Sequence, residues 1–135
     1  DSMGEYIAGQ VVRLMVRKSI NPVHARILVL GLAFKENCPD LRNTRVVDIV
    51  HALRGYNTEV DVFDPWVDAA EARHEYGLEL VDAPAAGAYD AIIVAVGHRQ
   101  FAALGSAGIR AFGKPSSVLY DVKYVLPRAE VDGRL

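Results

Sequence analysis

A single cysteine, Cys38, stands among the 135 residues of this chain. That excludes an internal disulfide and any zinc site built on several thiolates, and it points to a reducing, cytoplasmic setting. Excess positive charge is missing too: the net charge is −2 and the pI is near 6.1. Such a balance argues against bulk attraction to nucleic acid or to an anionic membrane, while leaving room for a local cationic pocket. No apolar run approaches the ~20 residues that a membrane-spanning helix needs. The opening, DSMGEYIAGQ, has neither the basic region nor the apolar core of a signal peptide. It begins directly on a helical pattern, as a piece of a larger protein would. A G-x-G-x-x-G fingerprint, a nucleophile elbow and paired carboxylates for acid–base work are all absent. The histidines, His24, His51, His74 and His98, have no metal-ligand spacing. No internal repeat, low-complexity tract or dividing linker interrupts the chain.

What is present is an ordinary globular composition, 51% apolar and 24% charged, in a chain long enough for one domain with a core. Met3, Ile7, Val11, Leu14 and Met15 recur at helical spacing and predict a helix over 2–19, stopped by Asn21-Pro22. Residues 27–32 form a continuous apolar run, as expected of a strand buried on both faces. A helix is expected over 44–55, capped by Asn43 or Thr44, with Val46, Val47, Ile49, Val50 and Leu53 inward. A strand over 58–63 stops at Asp64-Pro65, and a helix over 67–76 ends at Gly77. A short strand over 78–81 and a turn over 83–88 follow. Residues 90–96, DAIIVAV, read as a second buried strand ending at Gly97-His98. One or two short helices over 99–112, broken by Gly105 and Gly108, precede a strand over 117–122. The polar tail, 127–135, is expected on the surface. Alternating buried strands and helices predict a parallel sheet with helices on both faces. The fold class is therefore α/β: a Rossmann-like, doubly wound, three-layer sandwich preceded by the end of a long helix.

The most informative stretch is RILVLGLAFKENCPDLRNTR, a strand, a loop and the start of a helix. Lys35 follows the first strand, Arg42 precedes the next helix and Lys123 follows the last strand. In a parallel sheet all of them lie at the carboxyl edge, where anionic ligands bind. Lysine neutralises a phosphate as a point charge, whereas arginine grips one through two hydrogen bonds. The competing reading is ordinary solvated charge, with Arg42 paired to Asp40. A dinucleotide loop is disfavoured, since only Gly31 fits the fingerprint and Phe34-Lys35-Glu36 would crowd a pyrophosphate. Asp64 ends the second strand near the place of a ribose-binding acid, but far along the chain from Gly31. Cys38 lacks a neighbouring base in sequence, which argues against a nucleophile. His98, at the end of a buried strand, is read as hydrogen bonding within the loop rather than touching a ligand.

GLAFKENCPDLRNT resembles the signature G-L-x-F-K-x-x-x-x-D-x-R-x-[ST] of the third domain of the UDP-glucose/GDP-mannose (nucleotide-sugar) dehydrogenase family. DSMGEYIAGQVV resembles the end of that family's central helix, and VDVFDPWVD its second strand and D-P turn. YDAIIVAVGHRQF resembles a later strand with its histidine turn, and YDVKYVL the closing D-x-[KR] segment. The ENCPDLRNT wording and Lys123 are most similar to the UDP-N-acetylhexosamine 6-dehydrogenases, which supply capsule and O-antigen precursors.

The resemblance implies two parts: 1–20 as the end of the central linking helix, and 21–135 as a Rossmann-like UDP-sugar-binding domain. Phe34, Lys35, Arg42 and Lys123 are then the substrate-binding residues. In the family an N-terminal domain binds NAD, and a cysteine in a G-G-x-C-type loop carries a thiohemiacetal and then a thioester as the sugar C6 alcohol becomes a carboxylate. Nothing here matches that loop, so no catalytic residue is expected in this chain and the isolated piece should be inactive. NAD is expected in the missing N-terminal domain, and the parent enzyme as a homo-oligomer. The expected ligand is a UDP-sugar, with no nucleic-acid or membrane partner. A stand-alone NAD- or nucleotide-sensing module, or a purely structural domain, remains as an alternative.

Overall fold

The computed structural model describes residues 2–135. Asp1, the first residue of the expected linking segment, lies outside the described residues. A parallel sheet runs through the domain, formed by β1 (Arg26–Leu30), β2 (Glu59–Phe63), β3 (Tyr89–Val94), β4 (Gly113–Asp121) and β5 (Gly133–Arg134). The strand order is β2-β1-β3-β4-β5, with every pair parallel. The helices are α1 (Met3–Arg17), α2 (Val46–Arg54), α3 (Ala69–Tyr76) and α4 (Arg99–Arg110).

Period-two alternation sorts the strand side chains into two cores. Ile27 and Val29 of β1 join Ala91 and Ile93 of β3 in a core closed by α1 and α2. Leu28, Leu30, Ile92 and Val94 face the other way, against Phe101 and Ile109 of α4. All of β3 is buried, which is why it reads as an unbroken apolar run rather than as an alternating one. The three-layer α/β architecture is as expected.

Several local expectations are corrected. Met3 is not in the buried stripe of α1; it is 59% exposed, and Gly4 and Ala8 take the inner positions beside Ile7, Val11 and Met15. α2 begins at Val46 with Arg45 as its N-cap and no side-chain cap bond, rather than with Asn43 or Thr44; the Thr44 hydroxyl accepts the Val46 N–H at 3.2 Å while donating to the Leu32 carbonyl at 2.6 Å. α3 begins at Ala69, where the Asp68 carboxylate accepts the Glu71 N–H. The expected strand over 78–81 is only an isolated parallel bridge between Leu80 and Val62. α4 is broken at Gly105 as expected, where φ of 67° and ψ of 178° are non-helical, but Gly108 does not break it. The tail is not simply surface chain, since Gly133 and Arg134 pair with Tyr120 and Asp121 as β5.

Candidate functional site

Gly31 follows β1 at φ 102°, with no room for a side chain: a Cβ there would lie 2.5 Å from the Val96 Cβ. This close approach brings the ends of β1 and β3 together and turns the following loop over the carboxyl edge of the sheet. A cavity of about 590 Å³ opens at that edge. Ala33, Ala95, Val96 and Val122 form its apolar floor, and Phe34 and Lys123 stand at its sides. The first turn of α2 and the first turn of α1 close the rest. The volume suits a small-molecule ligand, and the N-terminal end of α2 favours negative charge there.

Each candidate side chain is set by local chemistry. Lys123 follows a turn organised by Asp121, which is fully buried. One Asp121 oxygen accepts the Lys123 N–H at 3.1 Å and the other the Leu126 N–H at 2.8 Å. The D-x-K spacing is the sequence signal for this Asx-type turn, although sequence reasoning assigned Asp121 no role. Phe34, 53% exposed, presents its ring beside the cavity, and its N–H donates to the Asp40 carbonyl at 2.7 Å. Lys35 is exposed on the same loop but does not line the cavity. Arg42 is tied to Asp40, donating from Nε at 3.1 Å and from a terminal nitrogen at 2.9 Å. Arg42, by its side-chain and backbone hydrogen bonds, together with the Lys35 charge, holds the Asp40 carboxyl down at about 2. The structure thus brings Phe34 and Lys123 to one cavity, leaves Lys35 beside it, and pairs Arg42 with its neighbour. Asn43, Thr44 and Arg45, which also line the cavity, were not singled out from sequence as ligand contacts.

The histidine turn has a definite role. Asp64 and His98 form a pair with fully buried side chains, His98 Nε2 lying 2.9 Å from Asp64 Oδ2. The same Asp64 oxygen accepts the N–H groups of Leu32 and Ala33 at 2.7 and 2.9 Å, and Oδ1 accepts that of Trp66 at 2.8 Å. Burial alone would raise the Asp64 pKa; hydrogen bonds from His98 and from these amides outweigh it and hold the carboxyl below its ordinary value. Asp64 is therefore not available to a ribose. The Leu32 and Ala33 amides, which a dinucleotide pyrophosphate would need, already serve a protein carboxylate, so the loop does not fit NAD. Cys38 is half-buried and unpaired on the same loop. Among the described residues no cluster of three or more metal-ligating side chains occurs, and no helix is long and apolar enough to cross a membrane.

Residues 28–128 match the model of the UDP-glucose/GDP-mannose dehydrogenase family, UDP binding domain. The chain is 54% identical over its full 135 residues to UDP-N-acetyl-D-glucosamine 6-dehydrogenases of Salmonella typhi and Pseudomonas aeruginosa, covering 32% of each. It is 34% identical to the CapL protein of Staphylococcus aureus, over 98% of this chain and 31% of that protein. It thus spans about a third of the length of the curated relatives it matches. Among solved structures, a UDP-glucose dehydrogenase from Pyrobaculum islandicum superposes with a TM-score of 0.69 at 26% identity, over 96% of this chain and 29% of that one. A UDP-D-ManNAc dehydrogenase from Pyrococcus horikoshii gives a TM-score of 0.75 at 24% identity, over 96% and 30%, a likeness of fold.

Proposed function

The chain belongs to the UDP-glucose/GDP-mannose dehydrogenase family, in its UDP binding domain, and we propose that it holds the nucleotide half of a UDP-sugar for a UDP-N-acetylhexosamine 6-dehydrogenase. The observation that carries this reading is the cavity at the carboxyl edge of the sheet, with Phe34 and Lys123 at its sides and the start of α2 behind it. Lys123 supplies a point charge for the diphosphate, and its backbone is held by buried Asp121. Phe34 offers an exposed ring against the nucleoside. Lys35 adds a second charge at the mouth. Arg42 joins as a grip if it exchanges its Asp40 carboxylate for a phosphate, a swap between like partners.

The parent enzyme would oxidise the sugar C6 alcohol to a carboxylate, with NAD as hydride acceptor. The Leu32 and Ala33 amides are committed to Asp64, which supports NAD binding elsewhere in the parent and weighs against an NAD-sensing module. Residues 1–20 are proposed as the end of a linking helix and 21–135 as the nucleotide-sugar domain. The exposed Met3, Tyr6 and Val16 of α1 support contact with further parts of a homo-oligomeric parent. A cytoplasmic setting is supported by the single unpaired cysteine.

The test is UDP and UDP-sugar binding by calorimetry on the full-length enzyme, with Lys35→Ala and Lys123→Ala variants. Each is expected to weaken UDP binding by about tenfold, as the loss of one charge-assisted contact does. Unchanged UDP affinity in both variants would overturn this assignment of the site.

A further inference from the structure

The segment carrying Phe34 and Lys35 has no regular secondary structure, yet both its ends are fastened to the same buried pair. Upstream, the Leu32 and Ala33 N–H groups donate to Asp64 Oδ2. Downstream, the Asn37 N–H donates to His98 Nδ1 at 2.9 Å. Between those anchors His98 and Asp64 bond to each other at 2.9 Å. Asn37 adds a second tie: it sits at φ 54°, and its side-chain oxygen accepts the Arg99 N–H at 2.8 Å. The imidazole is held in turn by ring packing, with centroids 5.5 Å from Phe101 and 6.1 Å from Trp66.

The hydrogen-bond pattern assigns the proton. Nδ1 faces a backbone donor and must accept, so the N–H is on Nε2 and donates to Asp64. One neutral imidazole thereby serves both ends of the loop. Its bond to Asp64 steadies the carboxylate that holds residues 32 and 33, and its other nitrogen holds residue 37. Phe34, Lys35 and Glu36 bulge out between these fixed points as a short exposed arch beside the cavity.

We propose that Asp64, His98 and Asn37 form a positioning relay that fixes the arch bearing Phe34 and Lys35, so that His98 sets how tightly the diphosphate of the substrate is held without touching it. This rests on the assignment of Lys35 as a substrate grip. The relay also accounts for a buried histidine at the turn after β3: an apolar residue could fill the space, but only a side chain with a donor and an acceptor on opposite edges can join carboxylate and amide.

The full-length enzyme with His98→Phe, His98→Asn, Asn37→Gly and Lys35→Ala tests the relay. His98→Phe keeps an aromatic ring of similar size and removes both bonds. It is expected to raise the KM for UDP-sugar by about tenfold with kcat within about twofold, the signature of lost ground-state and transition-state binding alike. Hydrogen exchange of the amides of 33–37 should accelerate while the amides of β1 and β3 stay protected, which a general loss of stability would not produce. His98→Asn, which can keep an acceptor near the Nδ1 position, should restore part of the affinity. Asn37→Gly tolerates the positive φ at an exposed site, and should raise KM by about threefold even if His98→Phe fails to fold. Combining Lys35→Ala with Asn37→Gly should cost less than the sum of the two, because a loosened arch no longer presents the lysine. Unchanged KM in the folded His98 or Asn37 variants, beside a weakened Lys35→Ala, would overturn the relay alone. Full additivity of Lys35→Ala and Asn37→Gly would also overturn it. Unchanged KM in Lys35→Ala would overturn the substrate-grip assignment and the relay's purpose with it.

Discussion

Asp64 draws more hydrogen bonds than any residue lining the candidate site: two loop amides, the Trp66 amide and His98 converge on its two oxygens. Apart from the Trp66 amide two residues on, these partners were not legible in sequence. Leu32, Ala33 and His98 lie more than 30 positions away, and Asp64-Pro65 reads locally as the stop of a strand. Replacing this fully buried carboxylate by an amide sets a donor against donors. Asp64→Asn should therefore cost about 2–4 kcal/mol of stability at neutral pH, measured by urea unfolding. The sign of the pH effect follows from the lowered native pKa, where the hydrogen bonds outweigh burial. The stabilisation is fully present above the unfolded aspartate value of ~3.9 and is lost as the pH falls through the lower native value. Acidification from pH 7 should accordingly reduce the difference between wild type and Asp64→Asn. Parallel stability curves down to the lowest pH at which both fold would contradict this account.

At the scale of elements, the crossing of α1 and α2 depends on one missing side chain. A Cβ on Gly4 would come within 2.7 Å of the Asp48 backbone carbon, a contact neither helix can relieve without moving. Because the first turns of both helices border the cavity, their spacing also sets its shape. Gly4→Ala, despite the better helix propensity of alanine, should lower stability by about 1–3 kcal/mol as overpacking does, and should weaken UDP binding as well. Chemical denaturation and calorimetry on the same variant would check both; a stabilised protein with unchanged affinity would show that the helices part freely. The helix itself was legible from the period of Ile7, Val11 and Met15, and the two central strands from their apolar runs. The bridge at Leu80 and the strand β5 were not, because a pairing of one or two residues leaves no periodic pattern.

Across the whole molecule, the first and last elements are joined through Asp132. Its carboxylate accepts from Lys18 just beyond α1 at 2.9 Å, from Arg110 at the end of α4 at 3.1 Å, and from the Leu119 N–H of β4 at 2.8 Å. Burial would raise its pKa, but Lys18, the Leu119 amide and Arg110 outweigh it and hold it low. Asp132→Ala should cost about 1–3 kcal/mol and lower the Tm, through loss of the partly buried pairs and of the cap on the Leu119 amide. A Tm equal to that of wild type would mean that the β5 tail adds nothing to the fold. The alternation of strands and helices, the sheet type and the family of the chain were determined by contiguous residues, because hydrophobic period and the GLAFK…D-x-R signature are local properties of a sequence. Tertiary structure alone decided that Phe34 and Lys123 line one cavity and that Asp64 is the partner through which His98 holds the loop. Partners for buried polar groups come from segments distant along the chain, and only the closed sheet brings those segments within hydrogen-bonding reach.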